Sequence, residues 1–427
     1  MADITYVCKR TVVSTKPVRP NLCCPLSVLD RLMEPHHLRI VFYYHTAQKR
    51  EVGELTVKLR ESLSETLTSY PIMMGRLQRD DEERWTIKCN DAGVRVVEAR
   101  VSCSVDEWLR HVDREKELRL VHWEEMSHKP YYWSTFYIQM TEFEKGGMAI
   151  GLSCIHLLAD PFCATAFIDA WAKTTLAQEI HIPPAFVPLP KRHSQDQDHA
   201  NNSLVNMAVR LCIEMAKRTG GIGSDETLSP FEALAGLFWA RLGRVKVIKQ
   251  GLVKMSLGHD VRKILGLDKG FFGNCIVYNN AQLEINDDGG IGVGEAASAI
   301  RDAISQFDRL KVLGLIDWLH LNDHANSLTK GPNGFLGFSD LVCIDLDDVS
   351  PYRAGLEVGL DPIRASYYIE PASEMGQIVI LPSHEGVESR DVMVTASEDD
   401  LARLRKDDLV QQLGATILMG GNLSSSK

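Results

Sequence analysis

The chain has 427 residues, 44% hydrophobic and 24% charged, with a formal net charge of −10. A chain of this length can bury a large core and divides into two or three domains. The acidic balance, with no Lys/Arg run beyond short clusters such as Lys191-Arg192, argues against nucleic acid as a partner.

The first residues lack the basic-then-apolar order of a secretory signal, and no stretch approaches about 18 uninterrupted apolar residues, so no transmembrane segment is expected. The ten cysteines include no Cys-x-x-Cys pair. No metal site is therefore predicted, and most cysteines read as buried thiols in a reducing compartment. Adjacent Cys23 and Cys24 invite a redox reading, against which stands the strain of a disulfide between neighbours.

In chain order, His37 to His45 is rich in β-branched and aromatic residues and predicts a buried strand. Leu55, Leu59, Leu63 and Leu67 step by four and predict a helix over 54–69, ended by Tyr70-Pro71. Trp85 to Lys88 and Gly93 to Ala99 read as short strands around the turn Asn90 to Gly93. Ser134 to Phe143 and Met148 to Ile155 read as a hairpin, its turn supplied by Gly146 and Gly147. The second strand delivers His156 at its carboxyl end, and Asp160-Pro161 opens a helix through Lys173.

Residues 182–227 are Pro-rich and then polar, which predicts a crossover between a domain at 1–181 and one at 228–427. A helix over 203–218 fits within it. Ser229-Pro230 with Glu232 predicts a capped helix through Arg244. Beyond it come strands at 252–257 and 275–283, one long helix from Val293 to Leu319, and strands near 341–346, 366–369 and 377–381. The alternation implies two mixed α/β domains. Asn286 to Gly294 lacks the ligand positions of a calcium loop and reads as a turn.

His156 and Asp160 stand at a strand-to-helix junction. An imidazole can take a proton near neutral pH, and a nearby carboxylate can anchor the turn that carries it. With 14 histidines in the chain, about one His-x-x-x-Asp pair is expected by chance, so a core histidine and a helix-capping Asp remain alternatives. For Arg262 a plain surface ion pair is the local reading. The aromatics Trp123, Tyr131, Tyr132 and Trp133 fit a channel border, a partner surface or core and hairpin packing.

Several segments, in this order, together resemble the plant BAHD (HxxxD-type) acyltransferases. They are Leu26 to Asp30, Tyr70 to Arg76, Cys89 to Ala99, the His156/Asp160 motif, Ser229 to Trp239, Asp260-Val-Arg262 and Phe272-Gly-Asn-Cys275. The resemblance implies a chloramphenicol-acetyltransferase-like fold, two mixed α/β domains flanking a central channel. It also implies His156 as general base, Asp160 as a structural residue paired with Arg262, and Gly273 and Asn274 near the channel. No bound cofactor is implied, and acyl-CoA is the expected substrate.

The chain departs from the family where an Asp-Phe-Gly-Trp-Gly motif is usual. It carries Tyr352-Arg-Ala-Gly-Leu-Glu-Val-Gly-Leu-Asp-Pro362, in which Gly359 and Pro362 are the remnants, and Ser339-Asp340 stands where Ser-Trp is usual. An intact His motif with this loss resembles the eceriferum/glossy-type branch of cuticular wax synthesis. That branch implies promotion of very-long-chain fatty acyl elongation with the elongase condensing enzyme, at the cytoplasmic face of the endoplasmic reticulum or in the cytosol. A monomer is expected apart from that partner. Whether such a chain is itself an enzyme stays open; the alternative is an acyl-CoA-dependent acyltransferase acting on an alcohol, amine or long-chain acceptor.

Overall fold

The protein is described from a computed structural model over residues 3–46, 53–126, 130–191, 228–246, 251–285, 290–322 and 340–413. The strands are β1 (Ile4–Val12), β2 (Cys23–Pro25), β3 (His37–Tyr44), β4 (Arg76–Arg79), β5 (Trp85–Lys88), β6 (Val94–Val101), β7 (Phe136–Phe143), β8 (Met148–Ile155), β9 (Gly251–Asp260), β10 (Ile276–Ile285), β11 (Leu341–Asp345), β12 (Pro362–Glu370), β13 (Gln377–Ser383) and β14 (Gly386–Thr395). The helices are α1 (Val28–Leu32), α2 (Glu54–Thr66), α3 (Val105–His111), α4 (Arg114–Leu118), α5 (Pro161–Thr175), α6 (Pro230–Val245), α7 (Arg262–Leu265), α8 (Val293–Ser305), α9 (Arg309–Leu321), α10 (Glu398–Leu404) and α11 (Asp408–Gln412).

The strands form a six-stranded sheet in the order β1-β6-β7-β8-β3-β12, a five-stranded sheet β10-β9-β11-β13-β14 and a small sheet β2-β5-β4. The first sheet is built from the first half of the chain, with one exception. Strand β12 returns from the second half and pairs antiparallel with β3, Ser366 opposite Val41 and Glu370 opposite His37.

Strand β3 shows why that sheet is buried on both faces. Leu38, Ile40, Phe42 and Tyr44 pack into the main core beneath α2 and α5, while Val41 and Tyr43 face a second cluster with Trp108 of α3. Alternation along a strand sends successive side chains to opposite faces, so the unbroken buried run Ile40 to Tyr44 is covered on both. The leucine stripe of α2 fills the first layer: Leu55, Leu59, Leu63 and Leu67 are all buried. The β7–β8 hairpin closes through Gly146 and Gly147, with φ of 104° and 115°. At Gly147 a Cβ would also lie 2.5 Å from the Val105 side chain, so only glycine fits this turn.

One expectation changes. The helix over 293–319 is two helices, α8 and α9, because Asp308 caps the second by accepting from Lys311 N at 2.8 Å; a local side-chain acceptor ends one helix and starts the next. The two strands expected around Asn90 to Gly93 are present and belong to different sheets: β5 pairs with β2 and β4, and β6 pairs with β1 and β7. Strands β1 and β14 were not expected at all. The helix over 203–218, residues 286–289 of the glycine-rich turn and Ser339 lie outside the described residues.

Candidate active site

His156 follows the last residue of β8, and its backbone N–H donates to His36 O at 2.9 Å. The residue is fully buried. Neither Nδ1 nor Nε2 has a hydrogen-bond partner among the described residues. Burial pulls its imidazole below the ordinary histidine range, partly opposed first by the negative charge of Asp160, then by the polar surroundings that include the Asn274 side chain, and last by Asp30. It is therefore neutral near pH 7, the form in which one ring nitrogen offers a lone pair. His36 alongside is pushed down to about 3, first by burial and then by the neighbouring histidines.

Asp160 does different work. Its Oδ1 accepts from Cys163 N at 2.9 Å and so caps α5, with Pro161 at the first helical position. Arg262 Nη2 reaches both of its oxygens, at 3.1 and 2.9 Å, and Cys275 N donates to Oδ2 at 3.0 Å. None of the described hydrogen bonds joins Asp160 to the imidazole. A fully buried carboxylate needs such a set of donors to offset lost hydration, and here they consume its acceptor capacity.

Arg262 closes the opposite side of this knot. It is 9% exposed, and it also donates through Nη1 to Asp260 at 2.7 Å and through Nη2 to Gly273 O at 2.6 Å. Burial opposes its charge, yet Asp160 and Asp260 hold the guanidinium well above its ordinary pKa. Burial pushes the Asp260 carboxyl up to about 6 against the pull of Arg262.

Gly273 and Asn274 lie in the loop between α7 and β10. The crossover residues strap this loop: Ala185 N donates to Gly270 O at 2.7 Å, and Phe272 N donates to Ala185 O at 3.0 Å. Asn274 is fully buried; its Nδ2 donates to His156 O at 2.8 Å and to Asp30 Oδ1 at 2.8 Å. The structure thus gathers His156, Asp160, Arg262, Gly273 and Asn274 into one cross-tied cluster drawn from both halves of the chain. Sequence reasoning did not single out Asp30, His36 or Cys163 as members. For Asp30 a signal was present in the segment Leu26 to Asp30.

The altered segment puts apolar side chains into the core and keeps its polar contacts at the margin, where Tyr352 Oη donates to Asp391 Oδ2 at 2.8 Å. Ala354, Leu356 and Leu360 enter the main core, Tyr44 Oη donates to Ala354 O at 3.0 Å, and Gly359 turns with φ of 76° before Pro362 opens β12. Trp123 stacks on His37 with ring centroids 4.7 Å apart, whereas Tyr131 and Tyr132 are exposed. Cys23 and Cys24 are free thiols, and Cys24 Sγ lies 3.6 Å from Cys89 Sγ. Among the described residues no group of three or more His, Cys, Asp or Glu is placed to hold a metal ion, and no helix is long and apolar enough to cross a membrane.

A family model described as the Transferase family matches residues 2–219. The chain is 25% identical over 418 residues to the protein ECERIFERUM 26-like of Arabidopsis thaliana, covering 92% of this chain and 93% of that one. It is also 25% identical over 452 residues to the protein ECERIFERUM 2 of the same plant, covering 95% and 98%. The crystal structure of vinorine synthase matches with a TM-score of 0.70 at 17% identity, over 98% of this chain and 99% of that one. That likeness establishes the fold, the chloramphenicol-acetyltransferase-like arrangement expected above.

Proposed function

Because the chain belongs to the Transferase family of BAHD acyltransferases, we propose that it handles acyl-CoA in plant cuticular wax synthesis and promotes elongation of very-long-chain fatty acyl groups with the elongase condensing enzyme. The observation that carries this reading is the full-length likeness to two ECERIFERUM proteins. The Tyr352–Pro362 turn, where the wider family carries Asp-Phe-Gly-Trp-Gly, supports the same branch. Work beside the elongase puts the chain at the cytoplasmic face of the endoplasmic reticulum, held by its partner.

A second reading is favoured by His156 itself, a buried neutral imidazole with both nitrogens unpartnered. As an acyltransferase, the chain would use His156 to take the proton of an acceptor hydroxyl or amine as that atom attacks the thioester carbonyl. The tetrahedral intermediate would collapse with loss of the coenzyme A thiolate, which the imidazolium reprotonates. Asp160 would hold the motif in place, and no covalent acyl-enzyme is required.

One experiment separates the two. Wild type and His156→Ala are expressed with an elongase condensing enzyme in a host that makes no wax, and acyl chain lengths are measured beside coenzyme A release. The elongation reading expects longer chains with either protein and co-purification of the condensing enzyme. Loss of extension in folded His156→Ala, together with His156-dependent coenzyme A release, establishes the second reading instead.

A further inference from the structure

Asp30 begins as a local feature. Ser27 caps α1, its Oγ accepting from Asp30 N at 3.1 Å, and Asp30 Oδ2 accepts from Ser27 N at 2.7 Å. On a surface helix such a capping box leaves the carboxylate in water. Here Asp30 is buried, and its Oδ1 accepts twice more from across the molecule, from Asn274 N at 2.7 Å and Asn274 Nδ2 at 2.8 Å. The other Nδ2 hydrogen goes to His156 O. A carboxylate and a carbonyl can only accept, so the amide cannot flip, and its Oδ1 is left as a buried acceptor without a partner among the described residues.

The two carboxylates near His156 therefore differ in charge balance. Asp160 is neutralised by Arg262. Asp30 is held by neutral N–H donors, and none of the described salt bridges reaches it. Three neutral donors satisfy its lone pairs, and they oppose but do not outweigh the burial that pushes its carboxyl above the ordinary range.

We propose that Asp30 is a positioning residue for His156: by holding Asn274 it fixes the main chain of the motif and with it the setting of the imidazole. This rests on the reading of His156 as the proton-accepting group, but its test needs no turnover. The contact spans the two halves of the chain, so the same tie joins the start of the first to the Gly273–Asn274 loop of the second.

The test is hydrogen exchange at the His156 backbone amide in the full chain, followed beside the ring ¹⁵N shifts of His156, which are assigned by their loss in His156→Gln. Asn274→Ser removes the amide donors and should speed that exchange about tenfold or more and shift the ring signals. Asp30→Ala should do the same, whereas Asp30→Asn keeps the size and an acceptor for Asn274 and should restore exchange close to wild type. Unchanged exchange in folded Asp30→Ala, or fast exchange in Asn274→Ser beside wild-type exchange in Asp30→Ala, overturns the proposal. Should Asp30→Ala not fold, unchanged His156 exchange in Asn274→Ser overturns it alone. A chain that releases no coenzyme A can still pass this test, so its failure is distinct from failure of the transferase reading.

Discussion

The cluster around His156 and the turn from Tyr352 to Pro362 are both buried where the two halves of the chain meet, yet they are held by different forces. The cluster is polar: Asp30, Asp160, Arg262 and Asn274 exchange directed hydrogen bonds across sequence separations of more than a hundred residues. The turn is apolar: Ala354, Leu356 and Leu360 fill space in the main core, while Val358 between them is 98% exposed. Hydrogen-bond networks tolerate few substitutions, because one lost partner leaves another polar atom buried and unpaired. A volume constraint accepts many apolar side chains of suitable size. The polar cluster is therefore the less substitutable of the two regions, and the turn the more.

The largest expected effect comes from breaking the polar side. Arg262→Ala leaves Asp160 fully buried without its cation and Asp260 beside it, and should cost about 3–5 kcal/mol of stability in denaturant unfolding. Adding Asp160→Asn should recover part of that loss, because the unpaired charge goes with it. A loss under about 1 kcal/mol would mean that the ion pair does not hold the two halves together. On the apolar side, Leu356→Ala removes a fully buried side chain and should cost about 2–4 kcal/mol. The contrast sharpens in kind as well as size: Leu356→Met should be nearly neutral, whereas Arg262→Lys should not, since a single ammonium cannot replace both guanidinium arms.

What could be read in advance follows the same division. The β7–β8 hairpin, the capped start of α5 and the α2 stripe are written in local signals, namely turn glycines, Asp160-Pro161 and leucines four apart. The placement of Arg262 beside Asp160 came from family resemblance, since nothing local in Asp260-Val-Arg262 points across 102 residues. Strand β1 was missed because it is an edge strand with only Ile4 and Val12 buried, so it lacks the apolar alternation that marks a half-buried strand. Strand β14 likewise has no fully buried residue. Asp30 looked like a helix cap and is one; its second task depends on Asn274, 244 residues away.

The two regions should also separate on acidification, because the cluster holds titrating groups and the buried core of the turn holds none. His36 titrates near 3 in the folded protein and near its ordinary 6.5 when unfolded. Between those values the unfolded chain binds a proton that the folded one refuses, so stability rises with pH across the window and is lost as pH falls through it. One such group contributes a slope of at most about 1.4 kcal/mol per pH unit. Asp260, raised to about 6 from 3.8, works in the opposite sense, since there the folded state holds the extra proton. The two slopes oppose each other between about pH 4 and 6. His36→Gln removes one of them. Urea midpoints measured from pH 7 to 4 should therefore fall less steeply in His36→Gln than in wild type, while Leu356→Ala lowers the midpoint without changing the slope. A parallel shift in both variants would place the acid sensitivity outside the cluster.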